Sequence, residues 1–397
     1  MTTIADLPEF DPYSAEHLAD PLASLEAARE RSWAARSMRG LEIFTYEGCS
    51  ESYGNESIRP GVKVLLDAMG LDAELMAGPG RTLTFTDGSE HRLLRGIVSK
   101  WFTPRRVSEM QADVTALVRG LLAPMTRDGG GDLADVVTRR IPGPVFCWMV
   151  GSDVAHADRL FDLSEILLEA FSGDPSLVER ISVASEQMTA FVEDLIEVKR
   201  AAPGDDLMTI MLKAAETHDD VTLDDVHSLA YEMLTASTDN THNSAALMMH
   251  LLAQHEDQWA IVRDDKSVVG RAVEECMRFD PSVREDLRVA TDDTTLLDLE
   301  VPAGTVIWHA IWAAHNDPAI YPDPHTFDVT RNHARPQLVF GLGRHYCLGA
   351  ALARMEMNAM LSVVRDTWKG FEIAGEPVID RSFGAKVKAL PLSVVPA

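Results

Sequence analysis

The sequence predicts a mainly α fold, one large helical domain with small β-sheets that spans residues 1–397. Three observations carry this. Helical periodicity dominates the chain and strand-like alternation is sparse. A hydrophobic content of 46% is enough for one large core. No Gly/Ser or Pro-rich linker, low-complexity tract or internal repeat divides the chain.

The elements follow in order. Residues 15–36 read as one helix, with Leu18, Leu22, Leu25 and Ala28 on a stripe. Residues 41–46 alternate weakly, as a strand does. Residues 60–90 hold Pro60, Gly61, Gly70, Gly78, Pro79, Gly80 and Gly88, and read as a long irregular segment of the kind that forms lids and binding loops. Helical patterns cover 90–126, 153–172 and 178–200. A longer one starts at Thr222, where Thr222-Leu223-Asp224-Asp225 has the form of a capping box. It runs to Ala253, roughly 45 Å of helix at about 1.5 Å per residue. A further helix covers 268–279. Residues 298–314 read as strand, turn and strand around Pro302-Ala303-Gly304, and 316–340 as Pro- and Asn-rich coil.

Composition narrows the function. A formal charge of −26 argues against nonspecific binding to nucleic acid or to an anionic membrane, which needs a basic footprint. The first thirty or so residues carry Asp, Glu and Pro with no long apolar run, so neither a signal peptide nor a membrane anchor is expected. Cys49, Cys147, Cys276 and Cys347 are scattered without zinc spacing. A cytoplasmic protein, monomeric and without disulfides, is the expectation.

The stretch Phe340-Gly341-Leu342-Gly343-Arg344-His345-Tyr346-Cys347-Leu348-Gly349 is the most telling. Alone, a cysteine before a helix is usually an inert small hydrophobe. Here it sits in a glycine-rich loop, and helical periodicity starts right after it. A helix N-terminus stabilises anionic sulfur. Gly341, Gly343 and Gly349 let backbone approach something flat and large. Arg344 and His345 add cationic donors. A thiolate facing a planar ligand suggests haem iron.

This ten-residue pattern resembles the haem-binding loop of the cytochrome P450 superfamily, bacterial soluble type. The resemblance extends over most of the chain, from His91 to Cys347. It implies haem b (iron protoporphyrin IX) between the long helix and the loop, with Cys347 as the metal ligand and Phe340, Gly341 and Gly349 shaping its cradle. His91-Arg92-Leu93-Leu94-Arg95 is similar to the family's His-x-x-x-Arg, so His91 and Arg95, with Arg288 and His345, are the expected propionate partners. Asp286, two residues before Arg288, could join them or orient Arg288. Glu275 and Arg278 are similar to the family's structural Glu-x-x-Arg pair. Its third partner usually precedes a Phe in the coil, where this chain has Thr326; His325 or Arg331 could substitute.

The middle of the long helix carries an unbroken polar run from Ser237 to Asn243. Such residues compete with the helix for hydrogen bonds and are costly in a core unless used. The run is similar to the family's Ala-Gly-x-Asp/Glu-Thr-Thr turn for oxygen activation. Ser237 replaces the Gly, Asp239 keeps the acid, Asn240 replaces the first Thr and Thr241 keeps the second. Asp239 would relay protons, with Asn240, Thr241 and Ser237 assisting.

The implied function is that of a haem-thiolate monooxygenase, inserting one atom of O2 into a small apolar organic substrate by hydroxylation, epoxidation or dealkylation. Electrons would come from ferredoxin and ferredoxin reductase, docking near Arg92, Lys100, Arg105 and Arg106. Two alternatives stay open: an H2O2-driven peroxygenase, suggested by Asn240, and a non-enzymatic haem-binding protein. Substrate choice is expected from 60–90, 165–185, 237–241 and 283–287. Val283-Arg284-Glu285-Asp286-Leu287 either presents charge to a substrate or pairs Arg284 with Glu285 at the surface.

Overall fold

A computed structural model describes residues 2–68, 70, 74–172, 174–381 and 384–397. The expected specificity stretches 60–90 and 165–185 each contain positions outside those described. The chain forms two compact units, one of residues 1–65, 270–347 and 381–385, the other of 66–269, 348–380 and 386–397.

The first unit is built on a five-stranded sheet in the order Ala34–Ser37, Gly40–Ile43, Val306–His309, Asp286–Ala290, Ile58–Pro60. Leu41, Ile43, Ile58, Ala290 and Ile307 are buried in its core, with Tyr53 and Leu338 beside them. Helix Tyr46–Gly54 belongs here, as does Val269–Phe279 from its second residue on.

The second unit is helical. Pro104–Asp128 packs against Ala350–Thr367, and Leu223–Gln254 packs against Ala157–Leu168, Val178–Ala201 and Leu207–Thr217. Thr222 caps the long helix reciprocally, its hydroxyl accepting from the Asp225 N–H at 3.1 Å and its N–H donating to the Asp225 carboxylate at 2.8 Å. The expected box and helix are both present. Among the described residues no helix is long and apolar enough to cross a membrane.

Two expected helices are broken by proline. The segment 15–36 splits into Ala15–Ala19 and Pro21–Arg31 and then becomes strand Ala34–Ser37. Pro21 brings no N–H to continue a helix, and Asp20 caps the new one through the Ala23 N–H. The segment 90–126 splits into Gly88–Val98 and Pro104–Asp128 for the same reason, with Thr103 as cap. The irregular segment 60–90 contains two short helices, Val62–Ala68 and Glu74–Ala77.

Candidate active site

In the first unit, the thiol loop is fixed by its own backbone. The Cys347 N–H donates to Phe340 O at 2.8 Å and the Gly341 N–H to Leu338 O at 2.8 Å. Gly343 has φ +68°, and a Cβ there would stand 2.6 Å from the Tyr53 carbonyl oxygen, so a side chain is barred by both strain and contact. Arg344, expected to face a ligand, instead anchors the loop: its Nη2 donates to Glu56 O at 2.8 Å and Ile58 O at 3.2 Å. Cys347 is exposed, three residues before the first residue of helix Ala350–Thr367. The other three cysteines are buried. Burial pushes the Cys147 thiol up to about 11 and raises Cys49 and Cys276 as well, which leaves them inert.

Arg288, on strand Asp286–Ala290, lies against this loop. Its Nη2 is 3.7 Å from the place a Gly341 Cβ would take, and its guanidinium stacks 4.7 Å from the Tyr53 ring centre. The Nε donates to Asp286 at 2.8 Å. Burial alone would raise Asp286, but Arg288, with His309 and Tyr53, holds its carboxyl well below the usual carboxylate range. His309 is in turn fixed by Ser52 Oγ at 2.8 Å from its Nε2. So Asp286 orients Arg288, one of its two expected roles. His345 lies half-buried within the loop itself.

The Glu275–Arg278 pair is fully buried and bidentate, at 2.8 Å on both contacts. Its third partner is Arg331, whose Nε reaches Glu275 at 3.2 Å, and His333 stands 3.4 Å from the same carboxylate. Thr326, the residue at the expected place, only accepts Arg331 through its carbonyl. His325 turns away to Glu26. Arg278 also donates to His315 O, while His315 Nε2 accepts the Leu338 N–H at 3.0 Å. The network therefore grips the chain two residues before Phe340.

The surface-pair reading of the charged segment 283–287 does not hold for Arg284. It does not pair with Glu285; it pairs with Asp280 and stacks on Trp312 at 3.7 Å, buried. Glu285 accepts two hydrogen bonds from Arg39 instead. Glu285 is taken by a residue 246 positions away, which sequence spacing does not reveal, whereas Asp280 lies only four residues before Arg284.

In the second unit, His91 and Arg95 stand one turn apart on helix Gly88–Val98, His91 buried and Arg95 half-buried. Arg92, Lys100 and Arg105 are exposed; Arg105 pairs with Glu109 at 2.8 Å and Arg106 with Asp205.

The polar run of the long helix divides by direction. Thr238, His242 and Asn243 are buried. His242 meets Thr138 Oγ1 at 2.8 Å, and burial lowers its imidazole to about 4, keeping it neutral. Ser237 donates back to Leu234 O at 3.1 Å, so its proton serves the helix. Ala236 and Asn240 are exposed, one turn apart, and Thr241 is half-buried. Asp239 lies between these faces. Burial raises its carboxyl above the ordinary aspartate value, opposed by Lys386 and by Asn243.

Asn243 is a site residue that the sequence reading does not single out. Its Nδ2 donates to the Asp239 carboxylate at 3.0 Å and to its carbonyl at 2.9 Å, while its Oδ1 accepts the Val387 N–H at 2.7 Å. It thus pins the acid to strand Lys386–Ala389. The i, i+4 spacing from Asp239 is the signal the chain offers for it. Elsewhere in this unit a cavity of about 550 Å³ is lined by Asp162, Leu163, Ile166, Arg180, Val183 and Gln187, partly within the expected specificity stretch 165–185.

Comparisons with known proteins bear on the family and the fold. The family model described as Cytochrome P450 matches residues 148–366. Luteothin monooxygenase of Streptomyces thioluteus is 31% identical over 98% of this chain and 96% of its own length. The 6-deoxyerythronolide B hydroxylase of Saccharopolyspora erythraea is 31% identical over 76% of this chain and 74% of its own. Among solved structures, CalO2 superposes with a TM-score of 0.89 at 23% identity, covering 98% of this chain and all of that one, a likeness of fold. The tirandamycin C-bound P450 monooxygenase TamI gives 0.83 at 25% identity, over 98% and all of the two chains.

Proposed function

The chain belongs to the cytochrome P450 family and is a haem-thiolate monooxygenase; from that premise we propose that it oxygenates a small apolar organic substrate with electrons from a ferredoxin system. The observation that carries this is the exposed Cys347 thiol in its glycine-shaped loop, with Arg288 against the loop.

The donor set fits haem b. Among the described residues no group of three or more His, Cys, Asp or Glu is gathered to hold a bare metal ion. A single exposed thiol suits an iron whose other ligands would come from a macrocycle. When bound, haem b supplies the redox chemistry that activates dioxygen. Cys347 is the proposed iron ligand, and Phe340, Gly341 and Gly349 its cradle. Arg288, His345, His91 and Arg95 are the proposed propionate partners, each cation offsetting the desolvation of a carboxylate. Asp286 holds Arg288 in place.

Net oxygenation takes one O2, two electrons and two protons, and returns the oxygenated substrate and water. The chain must therefore deliver protons. Asp239 is suited to this, because burial raises its affinity for a proton and its hydrogen-bond partner is the Asn243 amide, which does not lock it as an anion. Asn240, exposed one turn from Ala236, would hold a water beside it, since an amide both donates and accepts. Thr241 is a further candidate donor, and Ser237 is reduced to an auxiliary one.

We read residues 1–397 as one catalytic domain, supported by a chain that passes between the two units at 65/66, 269/270, 347/348, 380/381 and 385/386. The exposed cations Arg92 and Lys100 support ferredoxin docking, with Arg105 paired to Glu109 and Arg106 to Asp205. Acidic composition and three buried free thiols support a cytoplasmic monomer. A second reading, peroxide-driven oxygenation, is favoured by Asn240 at the place of an alcohol. It expects full turnover with H2O2 and no reductase.

The test is the spectrum of the reduced carbon monoxide complex. The wild type is expected to show the red-shifted thiolate band and Cys347→His to lose it. A variant that kept the band would overturn the assignment.

A further inference from the structure

The segment before helix Gly88–Val98 lies flat on one stripe of the long helix. Gly80 is within reach of the helix backbone, where a Cβ would stand 2.3 Å from the Asp224 carbonyl. The Gly80 N–H donates to Ser228 Oγ at 2.6 Å, and Arg81 makes a two-oxygen contact with Asp225, Nε at 3.0 Å and Nη2 at 2.8 Å. The strap ends on Glu232. The Leu83 N–H donates to one carboxylate oxygen and the Thr84 N–H to the other, both at 2.8 Å.

This last contact is unlike the others. Glu232 is buried, and among the described residues its carboxylate is held by these two backbone N–H groups and by the Thr84 side chain, not by a cation. A buried carboxylate is a costly way to hold a loop, repaid only when both oxygens are used. Two separate N–H groups need two acceptors, which a carboxylate offers and a neutral amide does not. The position matters as well. Seven residues separate Glu232 from Asp239, about two turns or roughly 10 Å, which returns nearly to the same face. Exposed Ala236 lies between them on that face. Four residues after Thr84 the chain enters the helix that carries His91 and Arg95.

We propose that Glu232 is a positioning residue: its carboxylate clasps the Leu83–Thr84 turn onto the long helix, and this fixes a wall of the substrate site beside Asp239. The proposal deepens the monooxygenase reading and rests on it. The clasp sets how tightly bulky apolar molecules are held, without touching them.

The experiment compares haem-loaded wild type with Glu232→Gln and Glu232→Asp. Gln keeps one acceptor and turns an NH2 toward the other N–H. Hydrogen exchange at the Leu83 and Thr84 amides is expected to quicken about tenfold or more in Glu232→Gln, the equivalent of one lost hydrogen bond to a charged group. The affinity for 4-phenylimidazole, an imidazole with a bulky apolar substituent, is expected to fall about tenfold by the same measure, while unsubstituted imidazole changes less than about twofold. Glu232→Asp, which keeps both oxygens on a shorter arm, is expected to recover part of each effect. Unchanged exchange at Leu83 and Thr84 would overturn the clasp. Faster exchange with unchanged 4-phenylimidazole binding would overturn its role in the substrate wall. A wild type lacking the thiolate band would overturn the monooxygenase reading, and is told apart because the exchange difference does not depend on that band.

Discussion

Glu275 and Asp239 are both helical carboxylates held by a residue one turn on, yet their surroundings put them to opposite uses. Glu275, in the first unit, is fully buried and faces Arg278, Arg331 and His333, and also accepts the Asp328 N–H. Every oxygen is matched by charge. Asp239, in the second unit, has the Asn243 amide and a more distant Lys386. The first carboxylate is enclosed by cations; the second has few, and burial raises its carboxyl above the ordinary aspartate value. The difference teaches that a buried acid is suited to be a brace when cations complete its shell, and to the proposed role of proton carrier when they do not.

The largest effect expected from this contrast is on Arg278→Ala. Removing the bidentate guanidinium strands a buried carboxylate and costs about 3–5 kcal/mol. Soluble yield and thermal melting check it. Because the network reaches Leu338, haem content is expected to fall with stability. A variant that melts like wild type would break the brace reading.

Asp239→Asn is expected to do the reverse. Melting stays within about 2 °C of wild type, the range of substitutions that strand no charge. Turnover slows about 10²–10⁴-fold, the span of lost acid–base assistance. Product formed per reduced nicotinamide consumed gives the coupling.

Glu356, on helix Ala350–Thr367, extends the series to an acid with less still. It is buried, its Oε2 has no hydrogen-bond partner among the described residues, and burial alone pushes its carboxyl up to about 8. A folded-state value above the unfolded one means the contribution to stability is complete below about 4.5 and is lost as pH rises through about 8. Roughly 2–3 kcal/mol is expected to go over that window, the full shift being discounted for relaxation of the site. Glu356→Gln, neutral throughout, is expected to flatten this part of the profile. Melting temperatures from about pH 5 to pH 9 decide the point.

The smallest effect is expected for Asn240→Ala. If its amide only holds a water, losing it removes about 1 kcal/mol of hydrogen bonding and slows turnover less than about tenfold, with coupling partly kept. If Asn240→Ala abolishes coupling while Asp239→Asn does not, the two roles are reversed. Full turnover on peroxide alone, indifferent to both, would favour the peroxygenase reading.

What the sequence determined by itself is local. Gly343 and Cys347 share one loop, Thr222 and Asp225 one helix start, Glu275 and Arg278 one turn, and His91 and Arg95 another. Groups within a few residues of each other are placed by backbone geometry alone, so their spacing reads directly as structure. Proline breaks at Pro21 and Pro104 were legible in principle, because the missing N–H acts locally too, but the apolar stripe across them masked the signal.

What only the tertiary structure decided is which distant partner completes each charge. Arg331 rather than His325 joins Glu275, 56 residues away in sequence. Arg39 takes Glu285 from across 246 residues, which leaves Arg284 to Asp280 and Trp312. Val387 anchors Asn243, and Leu83 and Thr84 find Glu232. A buried polar group must be satisfied, but the requirement names no partner. Any donor that folding brings within about 3 Å will serve, and that choice leaves no periodicity or spacing in the chain to read.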